Sequence, residues 1–314
     1  MGDYLPPACL AALAARSLKY ARMPLARIRI QSEPCAAPVV SVVIATYNWS
    51  SVLRYAIHSV LWQTEQNFEI LVIGDGCTDD SEAVTHSFGD GRIRWKNLPS
   101  NTGHQSAPNN AGIAMARGEF IAYLGHDDVW HPFHLESMIK AIRRARADFA
   151  ASLVEWLGTT ESNVRLLKNQ FPCGRYDVVQ ALTPSGTMHR RYMIDKVGLW
   201  KDYRTIWRTP EADFQLRAYE AGMKYCTSRE MTVFKFVSTF RKDCYHARRS
   251  DEQAHCVARL ERDRWFVPRE VARMARIHLR RLPMQLPKIP PPPEQTTPGW
   301  AVTQFRKLRG FRDE

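Results

Sequence analysis

The sequence predicts an α/β fold: a mostly parallel, doubly wound sheet followed by a helical, basic C-terminal extension. Three observations predict it. Val39 to Ala45, VVSVVIA, is a nearly unbroken β-branched run, as a strand buried on both faces requires. Phe68 to Ile73 and Phe120 to Leu124 repeat that character after helix-length intervals. Each run stops at polar residues: Thr46-Tyr47-Asn48, Gly74-Asp75-Gly76 and Gly125-His126-Asp127-Asp128. A β-α-β alternation carries such ends to one edge of the sheet, where ligands of open α/β sheets bind.

Taken in order, residues 1–37 read as an Arg-dotted appendage with one helix over about 8–22 and prolines at 24, 34 and 38. After the first strand, Ser50 or Ser51 can cap a helix in which Leu53, Ala56, Ile57, Val60 and Leu61 form one apolar face. The second strand leads to a helix over about 80–87, a short strand marked by Ile93 and Trp95, and a helix ending near Arg117. The Phe120 strand and a helix beginning near Pro132 complete the first half. Beyond it, 148–156 reads as a strand, 158–184 as a polar, variable segment, and 185–191 as a strand in which His189 packs. A helix opens at Pro210 and ends at Gly222, a favourable residue just past a helix end, and 231–236 forms the last strand. Residues 251–282 read as one or two helices with Val267, Val271, Met274, His278 and Leu282 near one face. Pro290 to Pro293 is a polyproline linker, and 294–314 a loosely ordered basic tail.

Composition limits the function classes. With 45% hydrophobic and 24% charged residues in 314, the chain has material for an ample core. The net charge of +12 is uneven: residues 241–314 hold 17 Lys and Arg against 9 Asp and Glu, while 39–240 hold 22 against 21. A near-neutral central domain excludes a nucleic-acid-binding core, and the basic tails become the candidate contacts with an acidic membrane surface, or are simply solvated. The run at 8–15 is too short for a secretion signal, and the seven scattered cysteines include no CxxC, so free thiols and a cytoplasmic location are expected.

The strand-end residues suit a nucleotide. An Asp accepts a hydrogen bond from a ribose hydroxyl or a base N–H, and adjacent acids suit a hard divalent cation that also binds phosphates. Read singly, Asp75 is a turn residue beside Gly76, and Thr46 and Asn48 are turn caps. A dinucleotide-dependent oxidoreductase would share the sheet, but no GxGxxG follows the first strand.

VSVVIATYN, GDGCTDD, the spacing from Asn101-x-Gly103 to Asn110-x-Gly112, and Gly118-x-Phe120-Ile121-x-x-Leu124 with Asp127-Asp128 resemble the family 2 glycosyltransferases, of the nucleotide-diphospho-sugar transferase fold called GT-A. The resemblance is strongest over 39–137 and continues to about 250. It implies a domain over 38–250, with a nucleotide-binding half (38–137) and an acceptor half (138–250), then a helical extension (251–289) and the tail (290–314). It further implies that Thr46, Tyr47 and Asn48 line the nucleotide pocket, that Asp75 holds base or ribose with Asp79 in support, and that Asn110 and Arg241 contact the nucleotide sugar. Arg241 and Lys242 are placed to neutralise a departing diphosphate. Asp127 matches the second acid of the family's DxD motif and Gly125 stands at the first, so Mg2+ or Mn2+ falls to Asp127 with Asp128 or His126. In Pro210-Glu211-Ala212-Asp213, the register implies Glu211 as catalytic base, with Asp213 second. The expected reaction is inverting transfer of a sugar from a nucleotide diphosphate to a saccharide, lipid-linked or other hydroxyl acceptor. The rival is a catalytically weak nucleotide-sugar-binding or scaffold protein of the same fold.

Overall fold

A computed structural model describes residues 5–22, 30–34, 37–159, 161–162, 164–171, 175–178, 181–284 and 297–311. The polyproline segment 290–293 and the prolines at 24 and 172 lie outside them. The described strands are β1 (Val40–Thr46), β2 (Phe68–Gly74), β3 (Ile93–Asn97), β4 (Phe120–Gly125), β5 (Val129–Trp130), β6 (Phe149–Leu157), β7 (Arg165–Lys168), β8 (Thr187–Arg190) and β9 (Tyr225–Phe236). The helices are α1 (Pro7–Ser17), α2 (Ser50–Leu61), α3 (Ser81–His86), α4 (Ser106–Met115), α5 (His134–Ala145), α6 (Met193–Val197), α7 (Pro210–Glu220), α8 (Cys244–Ala247), α9 (Asp251–Arg262), α10 (Phe266–Leu279) and α11 (Trp300–Leu308).

The strands form one sheet in the order β3-β2-β1-β4-β8-β6-β9-β5, with β7 paired to β6. The first four run parallel, whereas β5, β7 and β8 each pair antiparallel with their neighbours. Central β1 has helices over both faces, which explains its unbroken apolar run. On one face α2 buries Leu53, Ala56, Ile57, Val60 and Leu61, and α5 adds Leu135, Met138 and Ile142. On the other, α4 lies so close that a Cβ on Gly112 would meet Val43 Cγ1 at 2.5 Å, so only glycine fits there.

Two tail expectations change. Residues 7–22 pack: Leu13 and Tyr20 join Val267, Val271 and Met274 of α10 in a second core beside β9, and the Tyr20 hydroxyl donates to Glu230 at 3.0 Å. Burying a leucine contributes ~1.5–3 kcal/mol, enough to fix a short helix in place. Residues 297–311, expected to be loosely ordered, carry α11 and lie against the C-terminal edge of the sheet. Among the described residues no helix is long and apolar enough to cross a membrane.

Candidate active site

Strand register builds the site. Thr46 pairs with Gly74 and Ala45 with Gly125, so β1, β2 and β4 end together. The Asp75 amide donates to the Thr46 carbonyl at 2.8 Å, locking the two turns. Thr46, Tyr47, Asp75 and Asp127 consequently line one cavity of about 460 Å³ together with Glu211 and Lys235.

Asp75 is held by its neighbours: both oxygens accept the Thr102 amide at 3.1 Å, and Oδ1 accepts the Thr102 hydroxyl at 2.8 Å. Burial raises its pKa, against these bonds and the nearby Arg306. His126 is clamped between turns. Its Nδ1 lies 2.8 Å from the Thr46 hydroxyl and accepts the Tyr47 amide at 3.3 Å, while Nε2 faces the Tyr245 hydroxyl at 3.2 Å. Burial lowers its pKa, so the imidazole is neutral and both nitrogens are engaged.

Neighbouring Asp127 and Asp128 part ways. The Asp127 carboxylate lines the cavity and makes no hydrogen bond or ion pair among the described residues. Asp128 turns inward and is fully buried. It pairs with Lys235 Nζ at 2.9 Å, accepts the Ser185 hydroxyl at 2.5 Å and accepts the Phe236 amide at 3.2 Å. Burial pushes its pKa up to about 6, but the ammonium and these donors keep it a carboxylate at neutral pH. Asp128 is therefore a structural ion-pair partner and not the expected metal ligand.

Glu211 faces the cavity from the first turn of α7, and its Oε2 has no hydrogen-bond partner. Burial raises its pKa; its own amide, the Thr209 hydroxyl, Arg309 and Lys235 pull the other way. Asp213, two residues on, lies outside the cavity and accepts from Arg217 Nε at 2.7 Å, an i,i+4 pair. Two residues along the helix turn the second acid about 200° away from the first, which separates their environments.

Four expected ligand-binding residues are spent inside the protein. Asn48 accepts the amides of Thr78 at 2.7 Å and Asp79 at 3.2 Å, while Asp79 accepts the Ser50 amide at 3.1 Å and the Ser81 hydroxyl at 2.6 Å. Together they join the turns after β1 and β2. Asn110 clamps Trp200, donating to its carbonyl at 2.8 Å and accepting its amide at 3.0 Å. Arg241 donates to Glu252 at 2.5 and 2.8 Å and to the carbonyls of Leu157, Val237 and Gly158, which occupies the guanidinium away from the cavity. His189 is satisfied in the sheet by the Tyr123 hydroxyl at 2.9 Å and the Arg190 carbonyl.

Residues 41–190 match the family described as Glycosyl transferase family 2. The uncharacterised glycosyltransferase YwdF of Bacillus subtilis (strain 168) is 32% identical over 191 residues, covering 57% of this chain and 67% of that one. The chain belongs to glycosyltransferase family 2. It spans about a third of the length of the curated rickettsial relatives it matches. Two solved structures share the GT-A fold. TarS of S. aureus, in complex with UDP, superposes with a TM-score of 0.54 at 16% identity over 77% of this chain and 71% of that one. The mannosyltransferase PcManGT of Pyrobaculum calidifontis, in complex with GDP-Man and Mn2+, gives 0.52 at 12% identity over 96% and 91%.

The glycosyltransferase motif implies a divalent cation, and the residues fit one only in a limited form. Among the described residues no group of three or more His, Cys, Asp and Glu is arranged to hold a metal. A Cβ on Gly125 would lie 2.9 Å from Asp128 Oδ2 and 3.2 Å from Asp127 Oδ1, so the place of the motif's first acid is closed. Asp127 alone remains. One carboxylate suffices for a cation that keeps its waters and takes its other ligands from substrate phosphates.

Several cavity residues escaped the sequence reading. Lys235 had a signal: it is a lone charge in the apolar strand MTVFKF. His104, Tyr245, Arg306 and Arg309 had none beyond ordinary loop and tail composition.

Proposed function

We propose that this chain is an inverting glycosyltransferase that moves a sugar from a nucleotide diphosphate to an acceptor hydroxyl, in the synthesis of a glycan, glycolipid or surface polysaccharide. One observation carries the reading: Glu211, with an unpartnered buried oxygen, shares a cavity with Asp75 and Asp127 at adjacent parallel strand ends. Asp75 takes the base or ribose, with Thr46 and Tyr47 beside it. Glu211 removes the acceptor's proton as its oxygen attacks the anomeric carbon, and the bond to the diphosphate breaks with the electron pair leaving on phosphate oxygen. A raised pKa makes Glu211 a stronger base than an ordinary carboxylate. A bound divalent cation, Mg2+ or Mn2+, would be held at Asp127 and supply positive charge to the departing diphosphate.

The UDP and GDP-Man complexes of the two structural relatives support a nucleotide-sugar donor. The five cysteines among the described residues are free thiols, which supports a reducing, cytoplasmic setting, with peripheral contact at the inner membrane face left to the basic surface outside the cavity. A second reading, a catalytically weak nucleotide-sugar-binding protein, draws on Gly125 and the commitment of Asp128 to Lys235. The deciding experiment is a binding and hydrolysis screen of UDP- and GDP-sugars with Mn2+, with Mg2+ and with EDTA. Turnover of one donor is expected; binding without any turnover, acceptors included, leaves the second reading.

A further inference from the structure

The cavity holds a second buried polar atom without a partner, opposite in character to Glu211: Nε of Arg309. It arrives on the segment 297–311, which the backbone pins down at several points. Gly299 donates to the Ile206 carbonyl at 3.0 Å, Asp243 to that of Leu308 at 3.4 Å and Tyr245 to that of Arg309 at 3.3 Å, and the His246 ring meets the Gly310 carbonyl. Beyond them Phe311 packs on Tyr245, with ring centroids 4.6 Å apart, and on Tyr47 at 5.9 Å. This fixed backbone delivers two guanidinium groups to the cavity wall, those of Arg306 and Arg309.

Neither guanidinium is paired with a carboxylate among the described residues. Arg306 donates to the Gly103 carbonyl and lies 4.6 Å over the Phe311 ring, which orients it and leaves its charge uncompensated. Both arginines bear on the nucleotide-binding loop: they help keep His104 neutral, after burial as the main cause, at about 3. A guanidinium withdrawn from water without a counter-charge is costly, and planar, forked donors match phosphate oxygens in pairs. The expected diphosphate residue, Arg241, is locked to Glu252, and of the two neighbouring acids Asp127 and Asp128 only Asp127 is left to hold a cation.

We propose that Arg306 and Arg309, carried in by the C-terminal helix α11, hold the diphosphate of the donor. This rests on the nucleotide-sugar reading of the cavity. In that role they bind the ground-state diphosphate and stabilise the charge that develops on it as the glycosidic bond to phosphate breaks.

The test compares diphosphate with monophosphate. Calorimetry on the full chain would measure UDP against UMP and GDP against GMP, in Mg2+ and in EDTA. In the double variant R306Q/R309Q the advantage of the diphosphate should shrink roughly 10- to 100-fold, with monophosphate affinity little changed. K307Q removes one positive charge from the same helix, as R309Q alone does, but at a side chain outside the cavity lining, and should keep the advantage. If melting shows the double variant poorly folded, R309Q alone serves, since its Nε has no internal partner to lose. An unchanged advantage in these variants, or an equal loss in K307Q, overturns the assignment. So does a loss seen in Mg2+ only, because the arginines would then act through the cation. Failure of the wild type to bind any of the four nucleotides overturns the donor-site reading itself.

Discussion

Replacing Glu211 by Gln tests the proposed chemistry at its centre. The substitution preserves shape and removes basicity. Oε2 of Glu211 is buried without a partner, and burial raises its pKa against the pull of Arg309 and Lys235. Taking away an unpaired buried charge costs the fold little, so the melting temperature should hold or rise slightly. General base catalysis contributes ~10²–10⁴-fold, equivalent to ~2.7–5.5 kcal/mol of barrier, and transfer by E211Q should fall within that range. Donor affinity should stay within about threefold, since the lost group serves the acceptor side and replaces no donor contact. The acid limb of the wild-type pH profile, set by a carboxyl whose pKa is raised, should vanish in the variant. The assay is initial-rate transfer to a soluble acceptor, with D213N measured beside it. Asp213 is tied to Arg217 and Lys201 outside the cavity, so D213N should keep transfer within about threefold of wild type. If D213N loses the greater activity while E211Q stays near wild type, the base is Asp213 and the reasoning from cavity lining fails.

Asp75→Ala should weaken UDP or GDP and the matching monophosphates alike, by roughly 10- to 100-fold, because the lost bond is to base or ribose; equal affinity by calorimetry would make Asp75 a turn residue only. Asp127→Asn should reduce the nucleotide-diphosphate affinity measured in Mn2+ to the level the wild type shows in EDTA, and a variant that still gains affinity from Mn2+ would remove Asp127 from cation binding. Glu155 is fully buried, its oxygens make no hydrogen bond and Oε1 lies 3.7 Å from Arg165 Nε; burial with Glu270 nearby pushes it up to about 8 against Arg165 and Arg273. A carboxyl raised above its ordinary 4.5 binds a proton more tightly folded than unfolded, so it makes stability fall as pH rises from 4.5 to 8. Between pH 6.5 and 8 the buried histidines 131, 134 and 189, lowered to about 3 or 4 from an ordinary 6.5, add a rise in stability that is the same in wild type and E155Q and cancels in their comparison. Urea unfolding across that window should show E155Q gaining stability relative to wild type by about 1 kcal/mol per pH unit, and parallel slopes would refute a protonated Glu155.

How much the chain disclosed depended on where its side chains end up. β1, β2 and β4 were legible because strands buried on both faces read as continuous apolar runs. β7 was hidden, since RLLK is four residues within a polar segment. The first half of β9, YCTSRE, was hidden because it is only half buried and its pairing with β6 is irregular. In the site, Asp75 and Asp127 were legible as strand-end acids, and Glu211 as an acid of a first turn. Asn48, Asp79, Asn110 and Arg241 occupy matching motif positions, yet a motif fixes a place in the chain and not the direction in which a side chain turns. Each found an amide, carbonyl or acid inside the protein first. Arg306 and Arg309 were invisible for another reason: a charge count over a basic tail cannot separate solvated arginines from two that point into a cavity.

The corner formed by Gly125, Asp127, Asp128 and Lys235 ties these results together. Lys235 and Asp128 lie 107 residues apart in sequence and meet at 2.9 Å, each giving the other the counter-charge that burial demands. Removing either would leave an uncompensated buried charge, at ~3–5 kcal/mol. With Asp128 turned inward, its Oδ2 fills the space a side chain at position 125 would need, so the glycine and the ion pair are parts of one arrangement. What this corner presents to the cavity is the Asp127 carboxylate, with the Lys235 ammonium beside it held by Asp128. A donor diphosphate placed against that carboxylate meets repulsion unless a cation stands between them. The cation and the arginines of α11 therefore answer different needs. A cation held at Asp127 would screen the diphosphate from that carboxylate, whereas the role proposed for the guanidinium groups is to bind the diphosphate directly.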